Sequence, residues 1–279
     1  MRRRHSLPSL CVLITSLLCM QTAMAGQAIS KSTETAMRAS VRPAPDPIFA
    51  VGRLDIGDLG FCTATVVGPS LILTAAHCLF EDDTTAPIDI DGLIFRAGLR
   101  EGAEQARRHV RRVVIHPDYH HTGVPTPQAV ATDLALLELD RPLNMQVVRP
   151  LPVAGHLDEG DPVDLISYAR LREEAPMRQE GCSVLTRGPD ILVLTCDVDF
   201  GASGAPVFRS DGDALSITSI VSAMTEYEGR RVALAATVEP GLDRLVAEFA
   251  RVPQLTPGAK MVRPGDHKTG TMRFVQPDR

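Results

Sequence analysis

Short apolar runs with turn residues between them fill the middle of this chain, and that spacing limits its fold more than any other feature. Between Ile48 and Ala250 the runs CTATVVG, SLILTAA, LIFRAGL, VRRVVI, DLALLEL, PVDLISYA, ILVLTCDV, GAPVF, SITSIVSAM and RRVALAATV follow one another. Each is strand length, and so many short strands indicate an all-β sandwich or barrel. Only EPGLDRLVAEFARV has a helical period, with Leu242, Leu245, Val246 and Phe249 on one apolar face and Pro240 and Gly241 at its start. The region 47–252 holds roughly 205 residues, enough for two small barrels or one large one. No internal sequence repeat decides between them.

The ends read differently. MRRRH is a basic start, LCVLITSLLCM an apolar run too short to span a bilayer, and Ala23-Met24-Ala25 a small-x-small cleavage site, so residues 1–25 are expected to be a secretory signal. Leu18 stands before Cys19 where a lipoprotein signal needs a small residue, which argues against a lipid anchor. Residues 26–46 are polar and end in alternating prolines, a flexible leader or pro-segment; residues 253–279, again proline-rich, read as a mobile tail. Loss of the signal removes Arg2, Arg3 and Arg4 and takes the formal charge from −5 to −8. That balance disfavours nucleic acid or an anionic membrane as partner. The one dense basic stretch, ARRHVRRVV (106–114), has apolar residues interleaved and reads as a solvated strand face.

Removal of the signal also leaves four cysteines, Cys62, Cys78, Cys182 and Cys196. In an exported chain these indicate two disulfides, with three possible pairings. The short spacings favour Cys62–Cys78 and Cys182–Cys196, each closing a loop worth roughly 3 kcal/mol of unfolded-chain entropy. No CxxC or HxxxH pattern accompanies them, and the three histidines of HPDYHH (116–121) are more simply solvent-exposed than metal-binding, so no metal is expected.

In FGASGAPVF (200–208), Ser203 is surrounded by residues with almost no side chain. Turns explain such a stretch equally well, as strand ends explain His77 in SLILTAAHC and Asp133 in TDLALLEL. The order His, Asp, Ser carries the weight. LTAAHC (73–78), VIHPDY (114–119), DLALLEL (133–139), GASGAPV (201–207) and SIVSAM (219–224) together resemble the chymotrypsin/trypsin family of serine proteases, from about Ile48 to Ala250. The resemblance implies two six-stranded antiparallel β-barrels packed together with a C-terminal helix. It also implies a nucleophile at Ser203, a general base at His77, an orienting carboxylate at Asp133 and an oxyanion hole from the backbone N–H groups of Gly201 and Ser203. Ser222 would donate a hydrogen bond toward Asp133. Asp197, six residues before Ser203, would sit at the base of the specificity pocket with Met224 at its rim, which implies a preference for Arg or Lys before the cleaved bond.

The chain departs from the family at Ala202. Many animal members carry an aspartate there that pairs with a new amino terminus when the zymogen is cut. Ala202 has no charge to offer, and Arg42 precedes Pro43, a poor tryptic site, so the oxyanion loop is expected to be preformed or ordered in another way.

The resulting expectation is a secreted or periplasmic serine endopeptidase acting on proteins or peptides, without a cofactor, nucleic-acid partner or stable membrane anchor; oligomeric state is not set by the sequence. The alternative is a silent homologue serving as a binding module on the same fold. A lipase or esterase is disfavoured because GASGA lacks the GxSxG spacing and the order of the three residues differs.

Overall fold

The computed structural model describes residues 46–81, 85–211 and 214–251. The expected signal, the expected tail and the leader up to residue 45 lie outside them. No helix among the described residues is long and apolar enough to cross a membrane.

Twelve strands close into two barrels. The first contains β1 (Val51–Ile56), β2 (Phe61–Gly68), β3 (Leu71–Thr74), β4 (Leu93–Ala97), β5 (Ala106–Ile115) and β6 (Ala135–Leu139). The second contains β7 (Pro162–Ala169), β8 (Arg172–Arg187), β9 (Ile191–Leu194), β10 (Pro206–Asp211), β11 (Ala214–Tyr227) and β12 (Arg230–Thr237). Around the first barrel the strands run β1-β2-β3-β6-β5-β4, and around the second β7-β8-β9-β12-β11-β10, all antiparallel. The topology is therefore repeated although the sequence shows no repeat. Closure pairs every strand on both sides and removes the exposed edges that short strands would otherwise leave.

Side-chain alternation explains most of these elements. In β4 the burial runs buried, intermediate, buried, intermediate, buried, which sends Leu93, Phe95 and Ala97 inward. The first core spans both barrels, since Tyr168 and Phe208 pack with Leu54, Ile72 and Leu136. A smaller core inside the second barrel gathers Val163, Leu165, Leu192, Leu194 and Val207, and reaches Ala202. Helix α1 (Pro127–Ala131), capped by Thr126, precedes β6, and helix α2 (Glu239–Arg251) follows β12.

Several expectations need correction. β8 reads REEAPMRQEGCSVLTR and buries little beyond Cys182 and Val184, so it gives no apolar run to recognise. On α2, Leu245 is buried and Leu242 and Phe249 pack on the core, but Val246 is half exposed because it follows Leu245 by about 100° of helical turn. The first half of β5 alternates as a solvated face should, yet Arg112 is buried. It lies 2.9 Å from the Glu138 carboxylate and 3.4 Å above the Phe249 ring centroid. HPDYHH is not uniformly exposed either. His120 is, whereas His116 is buried and His121 stacks on Phe80 at 4.5 Å.

Candidate active site

His77 lies on the one-turn 3₁₀ helix Ala76–Leu79 directly after β3. The Cys62–Cys78 disulfide ties that turn to β2. Asp133 occupies the step from α1 into β6, and its side chain is almost wholly buried. A carboxylate in that position must be satisfied by hydrogen bonds, and three donors meet it. The backbone N–H of His77 donates to Oδ1 at 2.8 Å, the ring Nδ1 stands 2.6 Å from Oδ2, and the Ser222 hydroxyl donates to Oδ2 at 2.5 Å. An ionised carboxylate only accepts, so the imidazole proton belongs on Nδ1 and Nε2 is left with its lone pair. The ring is about 30 % exposed, open to a reactant from one side. Nearby, burial and the Asp133 charge push the Tyr119 phenol up, so it stays neutral, and its oxygen lies 3.0 Å from His121 Nδ1.

Ser203 comes from the other barrel, on the loop that leads into β10. Its carbonyl accepts the backbone N–H of Thr63 in β2 at 2.8 Å, which docks the loop against the first barrel. Gly201 has φ +92°, and a Cβ there would fall on the Phe61 ring. Gly204, at φ +79°, would set a Cβ against the Thr63 carbonyl. Both glycines are required by backbone conformation and by close approach. The second disulfide, Cys182–Cys196, holds β8 to the segment that enters this loop.

One cavity of about 890 Å³ brings His77 and Ser203 to a common wall. Gly201, Ser222 and Met224 line it too. A neighbouring cavity of about 430 Å³ shares His77, Ser222 and Phe200 and adds Asp133, Tyr119 and Val124. Phe200, Leu59 and Val124 are exposed apolar side chains on these walls.

Asp197 is not brought to either cavity. It is exposed, and its N–H donates to Gln179 Oε1 at 3.1 Å. Its neighbour Val198 is buried and lines the larger cavity, whereas Asp197 does not. The acid on the cavity wall is Asp199, which Arg170 engages at 3.3 Å. Sequence reasoning passed over Thr63, Phe61 and Arg170, which hold the Ser203 loop; only the adjacency of Phe61 and Thr63 to Cys62 marks any of them out. Among the described residues Cys62, Cys78 and His77 cluster closely enough to share a metal ion, but the two sulfurs are bonded to each other, which removes the thiolates a metal would need.

Comparison with known proteins bears on the family and the fold. The family model described as a trypsin-like peptidase domain matches residues 62–217. A trypsin of Phaedon cochleariae is 36 % identical over 99 residues, 34 % of this chain and 34 % of that protein. The peroxisomal leader peptide-processing protease of Mus musculus is 32 % identical over 127 residues, 41 % of this chain and 22 % of that protein. The chain thus spans about a third of the length of the first of these relatives and under a quarter of the second. Among solved structures, a Glu endopeptidase in complex with MPD superposes with TM-score 0.59 at 16 % identity, covering 76 % of this chain and 95 % of its own. A thermostable serine protease, AL20, from an extremophilic microorganism gives TM-score 0.59 at 16 % identity, covering 74 % and 99 %. At that identity the likeness is one of fold.

Proposed function

The chain belongs to the trypsin-like peptidase family, and on that premise we propose that it is a serine endopeptidase, secreted or periplasmic, acting through His77, Asp133 and Ser203. One observation carries the reading: the His77 ring is oriented by Asp133, which Ser222 supports in turn, and His77 and Ser203 line one cavity.

In the proposed reaction, the Ser203 Oγ attacks the scissile carbonyl carbon while its proton passes to His77 Nε2. The carbonyl electron pair moves onto oxygen, where the N–H groups of Gly201 and Ser203 receive it. Collapse of this intermediate breaks the C–N bond, and His77 returns the proton to the leaving amine. Water then attacks the acyl-enzyme, losing its proton to the same nitrogen, and Ser203 is regenerated. Asp133 keeps the ring in the tautomer that can accept and stabilises the cation that forms.

The basic preference that the sequence attached to Asp197 does not enter this proposal, since that carboxylate faces solvent. The segments flanking Ser203 present Val198, Val221, Ala223 and Met224 to the cavity. The acid on the same wall, Asp199, is already engaged by Arg170, so these walls desolvate a charged side chain without a free partner for it, and an apolar residue is proposed before the cleaved bond.

A peptide-library digest with wild type and Ser203→Ala in parallel tests the reading. Cleavage by the wild type alone, with apolar residues enriched at the new carboxyl termini, is expected. Equal cleavage by both proteins would remove Ser203 from its role, and cleavage by neither would favour the binding-module alternative.

A further inference from the structure

The backbone around Ser203 leaves two donors over. The carbonyl of Phe200 accepts the N–H of Arg170 at 2.8 Å, that of Gly201 the Thr63 hydroxyl at 2.8 Å, that of Ala202 the N–H of Ala205 at 2.9 Å, and that of Ser203 the N–H of Thr63 at 2.8 Å. The N–H of Ala202 goes to the Asp199 carbonyl at 2.9 Å and that of Gly204 to the Val221 carbonyl at 2.8 Å. Of the N–H groups from Phe200 to Ala205, those of Gly201 and Ser203 meet no acceptor among the described residues. Each belongs to a peptide whose carbonyl is already held, by Arg170 and by Ala205, so each N–H is turned the opposite way. Backbone donors are otherwise almost always paired, and two spare ones beside a cavity form a ready receptacle for an oxyanion.

Thr63 makes two of these four carbonyl contacts, and it makes them from the other barrel. Its side chain is fully buried. The hydroxyl has one proton, which it gives to the Gly201 carbonyl, and it accepts the backbone N–H of Tyr168 in β7 at 3.1 Å. The Thr63 carbonyl in turn accepts the hydroxyl of Thr74 at 2.8 Å. One residue thereby locks the peptide between the two donors to β2, β3 and β7 at once. Ala202, which that peptide carries, is buried against the apolar core of the second barrel. An ammonium group delivered there would be buried beside a side chain with no charge to pair it, an unfavourable state.

We propose that Thr63 is the positioning residue of the oxyanion loop. Its hydroxyl sets the Gly201–Ala202 peptide in its working orientation, and the site forms without any new chain terminus entering the domain. This rests on the endopeptidase reading and adds to it the group that orders the loop.

The test compares Thr63→Val, which keeps the shape and removes the hydroxyl, with Thr63→Ser, which keeps the hydroxyl. For Thr63→Val, kcat on a peptide substrate is expected to fall about 10- to 100-fold with little change in KM. Affinity for a peptide boronic acid, which forms a tetrahedral adduct on Ser203, should fall by a similar factor, while that of a non-reactive peptide amide should hold. Thr63→Ser should return both to near wild type. A Thr63→Val enzyme with wild-type kcat and boronate affinity would overturn the proposal.

A second measurement needs no variant. Wild-type protein retaining residues 26–45 should cleave substrate from the first time point with its intact mass unchanged. Activity that rises only as the mass falls to a chain starting at Ile48 or Val51 would overturn the claim of ordering from within. An inert wild type that no organophosphate labels would instead refute the endopeptidase reading, on which this one stands.

Discussion

Ser222 and His77 converge on one oxygen: Oδ2 of Asp133 accepts the Ser222 hydroxyl at 2.5 Å and lies 2.6 Å from the His77 Nδ1. The two side chains come from different barrels, so the carboxylate is the point at which the halves of the site are held in register. A hydrogen bond to a charged acceptor contributes about 1.5–3 kcal/mol. Ser222→Ala should therefore lower the unfolding free energy by about that amount and kcat/KM by roughly ten- to a hundredfold. Unchanged kinetics would show that the carboxylate needs no help from β11.

Gly201→Ala makes a sharper demand. The new methyl would meet the Phe61 ring, and the residue would still have to hold φ +92°. A fall in kcat of about 10²–10³ is expected, the cost of misplacing an oxyanion donor. Phe61→Ala in the same chain would make room but leave the backbone penalty, so steady-state kinetics of the double variant should show partial recovery at most.

The buried ion pair beneath α2 concerns stability. Arg112 and Glu138 have side chains only 8 % and 9 % exposed, whereas Arg111, the other partner of Glu138, is 45 % exposed. Arg112→Ala would leave a buried carboxylate without its buried partner and also strip the Phe249 ring, at about 3–5 kcal/mol. Arg111→Ala should cost no more than about 1 kcal/mol. Urea unfolding of the two variants decides whether the contrast holds.

Acid stability should report His116. Burial holds its imidazole below the ordinary value of 6.5, while the carboxylates of Asp118 and Asp190 oppose that shift and Arg244 assists it. The unfolded chain then binds the proton more readily than the folded one. Stability from this residue is complete above pH 6.5 and is lost as the pH falls from there toward the lower folded value. His116→Gln should flatten the fall in unfolding free energy between about pH 7 and 5. An identical slope in both proteins would assign the acid sensitivity elsewhere.

How much of this was legible in the sequence follows from which residues act locally. His77, Asp133 and Ser203 each sit in a short motif at a strand end, and the strands around them are apolar enough to be counted. β8 was invisible because a long exposed strand paired mainly through its backbone carries no hydrophobic signal. Asp197 misled because its distance from Ser203 along the chain does not fix which side chains of this segment reach the cavity; Val198 and Asp199 line it and Asp197 does not. Thr63 carries no sign in the sequence beyond its place next to Cys62. Its importance lies in contacts with Gly201 and Tyr168, more than a hundred residues away, and a threonine inside a strand looks like any other.

The account stands or falls on the Ser203 hydroxyl being activated by the His77 ring. The most direct measurement is treatment with diisopropyl fluorophosphate followed by peptide mass mapping, on wild type, His77→Ala and Ser203→Ala. One diisopropylphosphoryl group on the peptide that contains Ser203, formed rapidly in wild type, far more slowly in His77→Ala and absent from Ser203→Ala, is the expected result. A folded wild-type protein that stays unmodified, or is modified equally fast without the imidazole, would contradict it.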